Sequence, residues 1–390
     1  MTFSIAVTYL IAPSLTWNIS PATKITLEGE YTIGEQPNDR GLPARGTALP
    51  NINGKLARNR FIGEPEDELD QNDRYVLRLG YELEHRFSPN WQLHNAFRVT
   101  FSQTPQNSLF PSALLDDERT LERGMFSTKD QSQDNYTVDT HIVGTFRTGN
   151  IAHRLLFGFD LSQDVYASST REFTLAPIDL FNPVYGQAAS EVIGGGFPRE
   201  PFITNSFGIY LQDQIELSSN LKLLLGGRFD IVSQKIELAS GSDSFQQDEA
   251  FSPRVGLVYQ PTDSLSLYAS YSRSFLQSVG TTFDRTLFKP ERGTQYEVGI
   301  KADWLDRRLS TTLALYQITR SNVVTTDPAN PNFSVQTGEQ RSRGVELDMI
   351  GEILPGWRIA AGYAYTDARI TADNTFAVGN RINNVPEHAS

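Results

Sequence analysis

Histidine, carboxylate and serine are the side chains from which hydrolytic or metal chemistry would be built, and this chain does not space them for it. Its five histidines, His85, His94, His141, His153 and His388, show none of the ligand intervals of a zinc site. There is no cysteine, which removes thiolate ligands and any disulfide framework. Serines, aspartates and histidines occur, but no nucleophile-elbow sequence joins them into a triad. Gly194-Gly-Gly196 follows no predicted strand and opens no predicted helix, so it reads as a flexible loop rather than a phosphate cradle. No enzymatic chemistry is expected, and no resident metal or cofactor.

Charge narrows the partners. A formal net charge of −12 argues against a nucleic-acid partner, which requires a basic stripe. The acidic runs Glu64–Asp70 and Asp116–Glu118 read as solvated loops. No stretch approaches 18 consecutive apolar residues, so no transmembrane helix is encoded.

The elements that would position any site are strands. Tyr75, Leu77, Leu79, Tyr81 and Leu83 alternate with Val76, Arg78, Gly80, Glu82 and Glu84, giving one apolar and one charged face. The same period-two split recurs from Leu155 to Ser162, Leu221 to Asp230, Leu265 to Ser272 and Gln295 to Trp304. Several of these segments exceed ten residues, whereas globular strands most often have about five or six. Crossing a bilayer at a tilt near 45° takes about 9–11 residues. A membrane barrel also accommodates the polar overall composition, because lumen-facing residues alternate with lipid-facing ones.

The connections carry the same message. Short turns fall at 20–23, 88–90, 148–150, 218–220, 261–264, 306–308 and 354–356. Long connections lie between them, at about 34–72, 104–117, 167–201, 240–249, 276–292 and 326–340. Strict alternation of short and long is the pattern of periplasmic turns and extracellular loops. To keep that parity, residues 118–147 are read as one long strand, not two divided at Gln131–Asp134. About fourteen strands result, with Asn383–Ser390 opening the next. By parity His85 faces lipid beside a periplasmic turn.

Within this pattern the words of the sequence are familiar. Phe207-Gly-Ile-Tyr-Leu-Gln-Asp-Gln-Ile-Glu-Leu217 and Leu221-Lys-Leu-Leu-Leu-Gly-Gly-Arg-Phe-Asp230 resemble the mid-barrel of TonB-dependent siderophore receptors. Phe251–Pro261, Leu267–Phe275, Lys289–Lys301, Arg341–Asp348 and Asn384–His388 continue the resemblance in order, over 177–388. Pro177–Gly186 resembles a loop of the ferrichrome-receptor branch. Residues 1–176 match in pattern more than in words.

The resemblance implies an all-β, antiparallel transmembrane β-barrel of the outer-membrane receptor type. It would hold about 14–15 of the roughly 22 strands of a plugged transporter. Residues 1–390 are then expected to be a partial barrel domain without the N-terminal plug and without the closing strands. The first ten residues also lack a signal peptide's basic region and cleavage site.

The implied function is transport of a ferric siderophore across the outer membrane, energised by TonB through the plug, with iron held only by its chelator. Other ligands (cobalamin, haem, a saccharide), a passive porin and a non-functional fragment stay open. Arg78, Glu82, Arg228, Asp230, Glu297 and Lys301, with Glu84, Arg86, Glu346 and Asp348, would line the lumen. They serve either as a hydrated wall bonded to a plug or as a path for an anionic chelate. Phe110, Tyr166, Phe173, Phe181 and Tyr185 are the loop aromatics that would offer rigid apolar area to a bulky chelate, or else pack loop against loop.

Overall fold

A computed structural model describes residues 7–390, apart from 38–40, 65–70, 188, 240, 242 and 279. All regular structure among them is β. β1 (Val7–Ile11) and β2 (Ser14–Ser20) lie end to end along β3 (Thr23–Pro37). β4 (Gln71–Ser88) and β5 (Trp91–Gln103) follow, then two shorter strands, β6 (Gln106–Leu114) and β7 (Thr120–Thr128). β8 (Ser132–Thr148) and β9 (Ile151–Ala167) are long again, and β10 (Thr170–Asp179) and β11 (Ser190–Phe197) short. Then come β12 (Phe202–Ser218), β13 (Leu221–Ile236), β14 (Ser244–Thr262), β15 (Leu265–Leu276), β16 (Glu291–Trp304), β17 (Leu309–Thr326), β18 (Ser334–Leu354) and β19 (Trp357–Ala372). β20 (His388–Ala389) begins the next strand.

Every named pairing is antiparallel. The wall runs from β1 and β2 through β3, β4, β5, β8, β9 and β12, then in chain order to β20. Counting β1 and β2 as one interrupted strand gives fourteen wall strands and the start of a fifteenth. Among the described residues no pairing joins β19 or β20 back to β1 or β2. Seven short turns close one end of the wall where the sequence places them. Register shifts sit beside five of them, at Asn18/Ser20, Arg86/Ser88, Glu216/Ser218, Tyr259/Thr262 and Glu352/Leu354. Bulges at a barrel rim let the twisted strands turn without stretching their ladder.

One face of the wall is a continuous apolar belt. Leu221, Tyr259, Leu267, Ile300, Leu313, Leu347 and Tyr363 are successive register partners across seven strands. Ile300 and Tyr363 remain over 40% exposed, a belt far larger than the few hundred Å² that soluble proteins leave open. All four tryptophans, Trp17, Trp91, Trp304 and Trp357, lie on strands within a few residues of the short turns, and all are exposed. Indole suits that position because its ring is apolar and its N–H reaches the headgroup layer.

Three sequence expectations are corrected. Residues 118–147 form two strands, β7 and β8, separated by a turn at 129–130. Parity survives because β6 and β7 are an extra hairpin on the long-loop side, and a hairpin returns the chain to the level it left. The glycine run 194–196 lies within β11 rather than in a free loop. Glu64, expected in solvent, is buried; the rest of its acidic run, 65–70, lies outside the described residues. Likewise Glu118 is bound, accepting the Ile52 N–H and pairing with Arg45.

Candidate functional site

The four short strands leave the wall together. β6 pairs with β7, β7 with β10, and β10 with β11, making a small sheet on the side of the long loops. Residues 41–64 of the first long connection fold onto it. Leu56, Ile62, Leu121, Ile178 and Leu180 form its core, flanked by Leu42, Leu114, Phe181 and Tyr185. A second cluster holds Leu109, Met125 and Leu175, with Phe173 against it. The three connections thus make one extracellular cap with its own interior.

Polar contacts fasten the cap. The Arg123 guanidinium donates to Glu64 Oε1 at 2.8 Å, to the Ile62 carbonyl at 2.9 Å and to the Ala176 carbonyl at 3.0 Å. Glu64 Oε2 accepts the Gly186 N–H at 2.7 Å. Asn51 and Asn53 donate to the Glu118 and Asp117 carbonyls, and Arg119 lies 2.6 Å from Asp179. Hydrogen bonds from the Thr120 hydroxyl and N–H and the Arg119 N–H hold the Asp117 carboxyl below the usual carboxylate range. At Asp179 burial pushes upward, but Arg119 and the N–H groups of Phe181 and Asn182 outweigh it and hold the carboxyl low.

Four of the five loop aromatics sit inside this cap. Phe110 stacks on Phe126 at 4.7 Å and fills the space over Gly124. Phe173 packs on the second cluster. Phe181 packs on the first beneath the Arg119 guanidinium, and the Tyr185 hydroxyl donates to the Phe61 carbonyl at 3.0 Å. Tyr166 stands apart near the upper end of β9, in register with Gln133 and Phe202, and is 37% exposed. The sequence reading missed other exposed loop aromatics: Phe245, Phe283, Phe333 and Phe376, with Phe283 edge-on to Phe333 at 5.0 Å. Their loops carry no local signal beyond the aromatic residues themselves.

The face opposite the apolar belt is polar, and in a barrel it is the lumenal one. Its densest cluster spans β8, β9, β12 and β13. Arg228 pairs in bidentate fashion with Asp160 and lies 2.6 Å from Asp230 Oδ1. Its guanidinium sits 5.7 Å from the Tyr210 ring. The Tyr210 hydroxyl donates to Asp139 Oδ2 at 2.7 Å, and Asp139 Oδ1 meets His141 Nδ1 at 2.7 Å. Glycines make the room. A Cβ at Gly208 would lie 2.0 Å from Arg228 Nη2, and one at Gly158 would lie 2.6 Å from the Tyr210 ring. Asp230 Oδ2 is buried with no partner among the described residues.

The other lumenal positions are more dispersed. Arg78 pairs with Glu30. Glu297 accepts from the Tyr268 hydroxyl at 2.7 Å and from Gln295 at 2.9 Å. Glu82 lies opposite Thr26 and Ala96, and Lys301 opposite Ser266 and Thr312. Neither has an ion-pair partner among the described residues. A recess of about 510 Å³ opens beside the Arg228 cluster, lined by Tyr210, Gln212, Arg228, Asp230, Arg254 and Gln295 among others.

A barrel wall with a lipid belt, a girdle and a folded extracellular cap defines an outer-membrane receptor architecture, and comparison with known proteins gives the family. Residues 14–390 match the family described as TonB dependent receptor-like, beta-barrel, and the chain belongs to it. It is 34% identical to the metal-pseudopaline receptor of Pseudomonas aeruginosa, over 97% of this chain and 54% of that protein. It is 31% identical to the ferrioxamine B receptor of Salmonella typhimurium, over 97% of this chain and 53% of that protein. Its fold superimposes on the siderophore receptor PiuA of Acinetobacter baumannii with a TM-score of 0.85 at 21% identity, covering 98% of this chain and 61% of that one. The chain therefore spans about half the length of the curated relatives it matches. Members of this family are outer-membrane receptors and transporters, not enzymes.

Proposed function

We propose that the protein is the barrel portion of a receptor that takes a ferric siderophore from the cell surface and passes it inward when TonB acts on a plug seated in the lumen. Residues 1–390 form part of one barrel domain in this reading. The plug is supplied by chain outside it, and membrane lipid covers the apolar belt. The siderophore carries the iron, so the protein contributes shape and hydrogen bonds instead of metal ligands. In this reading the cap beside Tyr166 forms one wall of the chelate's landing site, and the exposed aromatics Phe283, Phe333 and Phe376 of the other loops offer further contact area.

The observation that carries the reading is the charge imbalance of the lumenal cluster. Asp160 and Asp230 both hold the Arg228 guanidinium, Asp139 beside them is bonded to Tyr210 and His141, and one Asp230 oxygen is buried without a donor among the described residues. A buried carboxylate oxygen left unpaired costs a few kcal/mol or more, so a wall of this kind suits a cationic or donor-rich occupant. A passive, water-filled pore would have no such need. The relatives named for ferrioxamine B and for metal-pseudopaline support a ligand of the siderophore kind.

The test is direct binding. The whole receptor in detergent is titrated with ferrioxamine B, ferrichrome, a ferric catecholate and metal-pseudopaline, and its tryptophan quenching is followed. Saturable quenching by one chelate class, absent with iron-free chelator, supports the reading. No saturable response to any of them, with a response to cobalamin, haem or a saccharide, replaces it.

A further inference from the structure

Low on the lumenal wall two histidines face each other across neighbouring strands. His94 of β5 and His141 of β8 are direct register partners, and their rings stack at 4.7 Å, 25° from parallel. We propose that this pair is a bis-imidazole site for a divalent transition cation such as Zn²⁺, Ni²⁺ or Cu²⁺, completed by water. It goes beyond the siderophore reading and does not depend on it, because here the metal would be held by protein nitrogen.

Directly opposed residues in an antiparallel pair have Cβ atoms about 4.5–5.5 Å apart. With His141 held by Asp139, the His94 ring need only turn about χ2 to direct a nitrogen at an ion bound to His141 Nε2 about 2.1 Å away. The ring states suit this. Asp139 Oδ1 lies 2.7 Å from His141 Nδ1; a proton on Nδ1 donated to that carboxylate leaves Nε2 with a free lone pair. This is the carboxylate–histidine arrangement that orients metal-ligating imidazoles and raises their basicity.

The support is itself rigid. Asp139 is fixed at its other oxygen by the Tyr210 hydroxyl, and Tyr210 occupies the space over Gly158, directly across from His141. Neither ring nitrogen of His94 has a hydrogen-bond partner among the described residues. Asp139 beside His141 favours a cation, while Glu84 of β4, the register partner of His94 on its other side, is already paired to Lys24 at 2.8 Å. Among the described residues no three histidines or carboxylates converge. The site is therefore an open, two-nitrogen one, suited to an ion that keeps exchangeable positions.

The full receptor in detergent, freed of metal, is titrated with Zn²⁺ alone by calorimetry, and Cu²⁺ is added for electron paramagnetic resonance. One ion per chain is expected at this site, with hyperfine structure from two nitrogens. His94→Gln and His141→Gln should each abolish it. Asp139→Asn should weaken it by about tenfold to a hundredfold while leaving two-nitrogen coordination intact. Zn²⁺ binding unchanged in both histidine variants, or a spectrum without nitrogen coupling, overturns the proposal. Should a variant fail to fold, the unaltered protein still decides the matter. Zn²⁺ must protect His94 and His141 from diethylpyrocarbonate while leaving His85 and His388 reactive; equal modification with and without Zn²⁺ overturns it.

Discussion

Arg123 and Glu64 meet at 2.8 Å inside the extracellular cap, and the side chain of neither is more than 1% exposed. The pair joins the first long connection to β7. Arg123 also binds backbone carbonyls at Ile62 and Ala176, and Glu64 binds the Gly186 N–H. A desolvated charge pair of this kind is stable only while both partners stay, because losing one leaves the other buried and unpaired.

Arg123→Met or Glu64→Leu alone should therefore loosen the cap by roughly 3–5 kcal/mol, and the double substitution should recover much of that loss. Hydrogen exchange separates the cases. The single variants should exchange faster in 41–64, 106–128 and 170–186, with wall strands unchanged. Equal protection in single and unaltered proteins would contradict the assignment.

Acid should act on the same unit. Asp117 and Asp179 both titrate below their ordinary value of 3.8 when folded. Their contribution to cap stability is complete above about pH 4 and is lost as the pH falls through the lowered folded values. Because the chain has no native cysteine, a nitroxide attached through Ile52→Cys reports on this region. Its spectrum should stay immobilised from neutrality to about pH 4 and become mobile below that. Loosening on raising the pH would contradict the sign.

How much of this was legible in sequence depends on the range of the interaction. The wall strands were legible because lipid and lumen force a period of two along each strand, a purely local signal. That Arg78, Arg228 and Glu297 lie on the face opposite the apolar belt follows from the same alternation. Their partners do not, since Arg228–Asp160 and Asp139–Tyr210 depend on register between strands 68 and 71 residues apart. The cap was not legible. The turn at 129–130 was outvoted by a parity rule that an inserted hairpin satisfies equally well. For Phe110, Phe173, Phe181 and Tyr185 the sequence leaves chelate contact and loop-against-loop packing both open, because the interior they pack into is assembled from three separate connections. His94 and His141 are 47 residues apart, far outside any local ligand spacing, and only the β5–β8 pairing brings them together.

Adjacent positions on β17 test the two faces of the wall. Leu313 belongs to the apolar belt and Thr312 to the lumenal face, opposite Lys301 and Asp348. Leu313→Arg should cost roughly 2–4 kcal/mol of folding stability in bilayers, while Thr312→Arg should cost far less. Urea titration in lipid vesicles measures both, and equal costs would contradict the orientation.

Glycine spacing gives a third contrast. A Cβ at Gly208 would fall on the Arg228 guanidinium, whereas one at Gly256 meets nothing nearer than 3.6 Å. Gly208→Ala should destabilise the barrel by about 1–3 kcal/mol and Gly256→Ala by much less. Thermal unfolding followed by gel mobility separates them; the reverse order would contradict the packing described for Arg228.

The central claim is that this barrel serves energised uptake of a ferric siderophore, and uptake itself is the most direct test. The whole receptor is expressed in iron-starved cells lacking their own siderophore receptors, with or without TonB, and radiolabelled iron is supplied as the chelate that binds. Accumulation of iron that requires both the receptor and TonB is the predicted result. Accumulation that is equal without TonB, or no greater than in cells without the receptor, would contradict it.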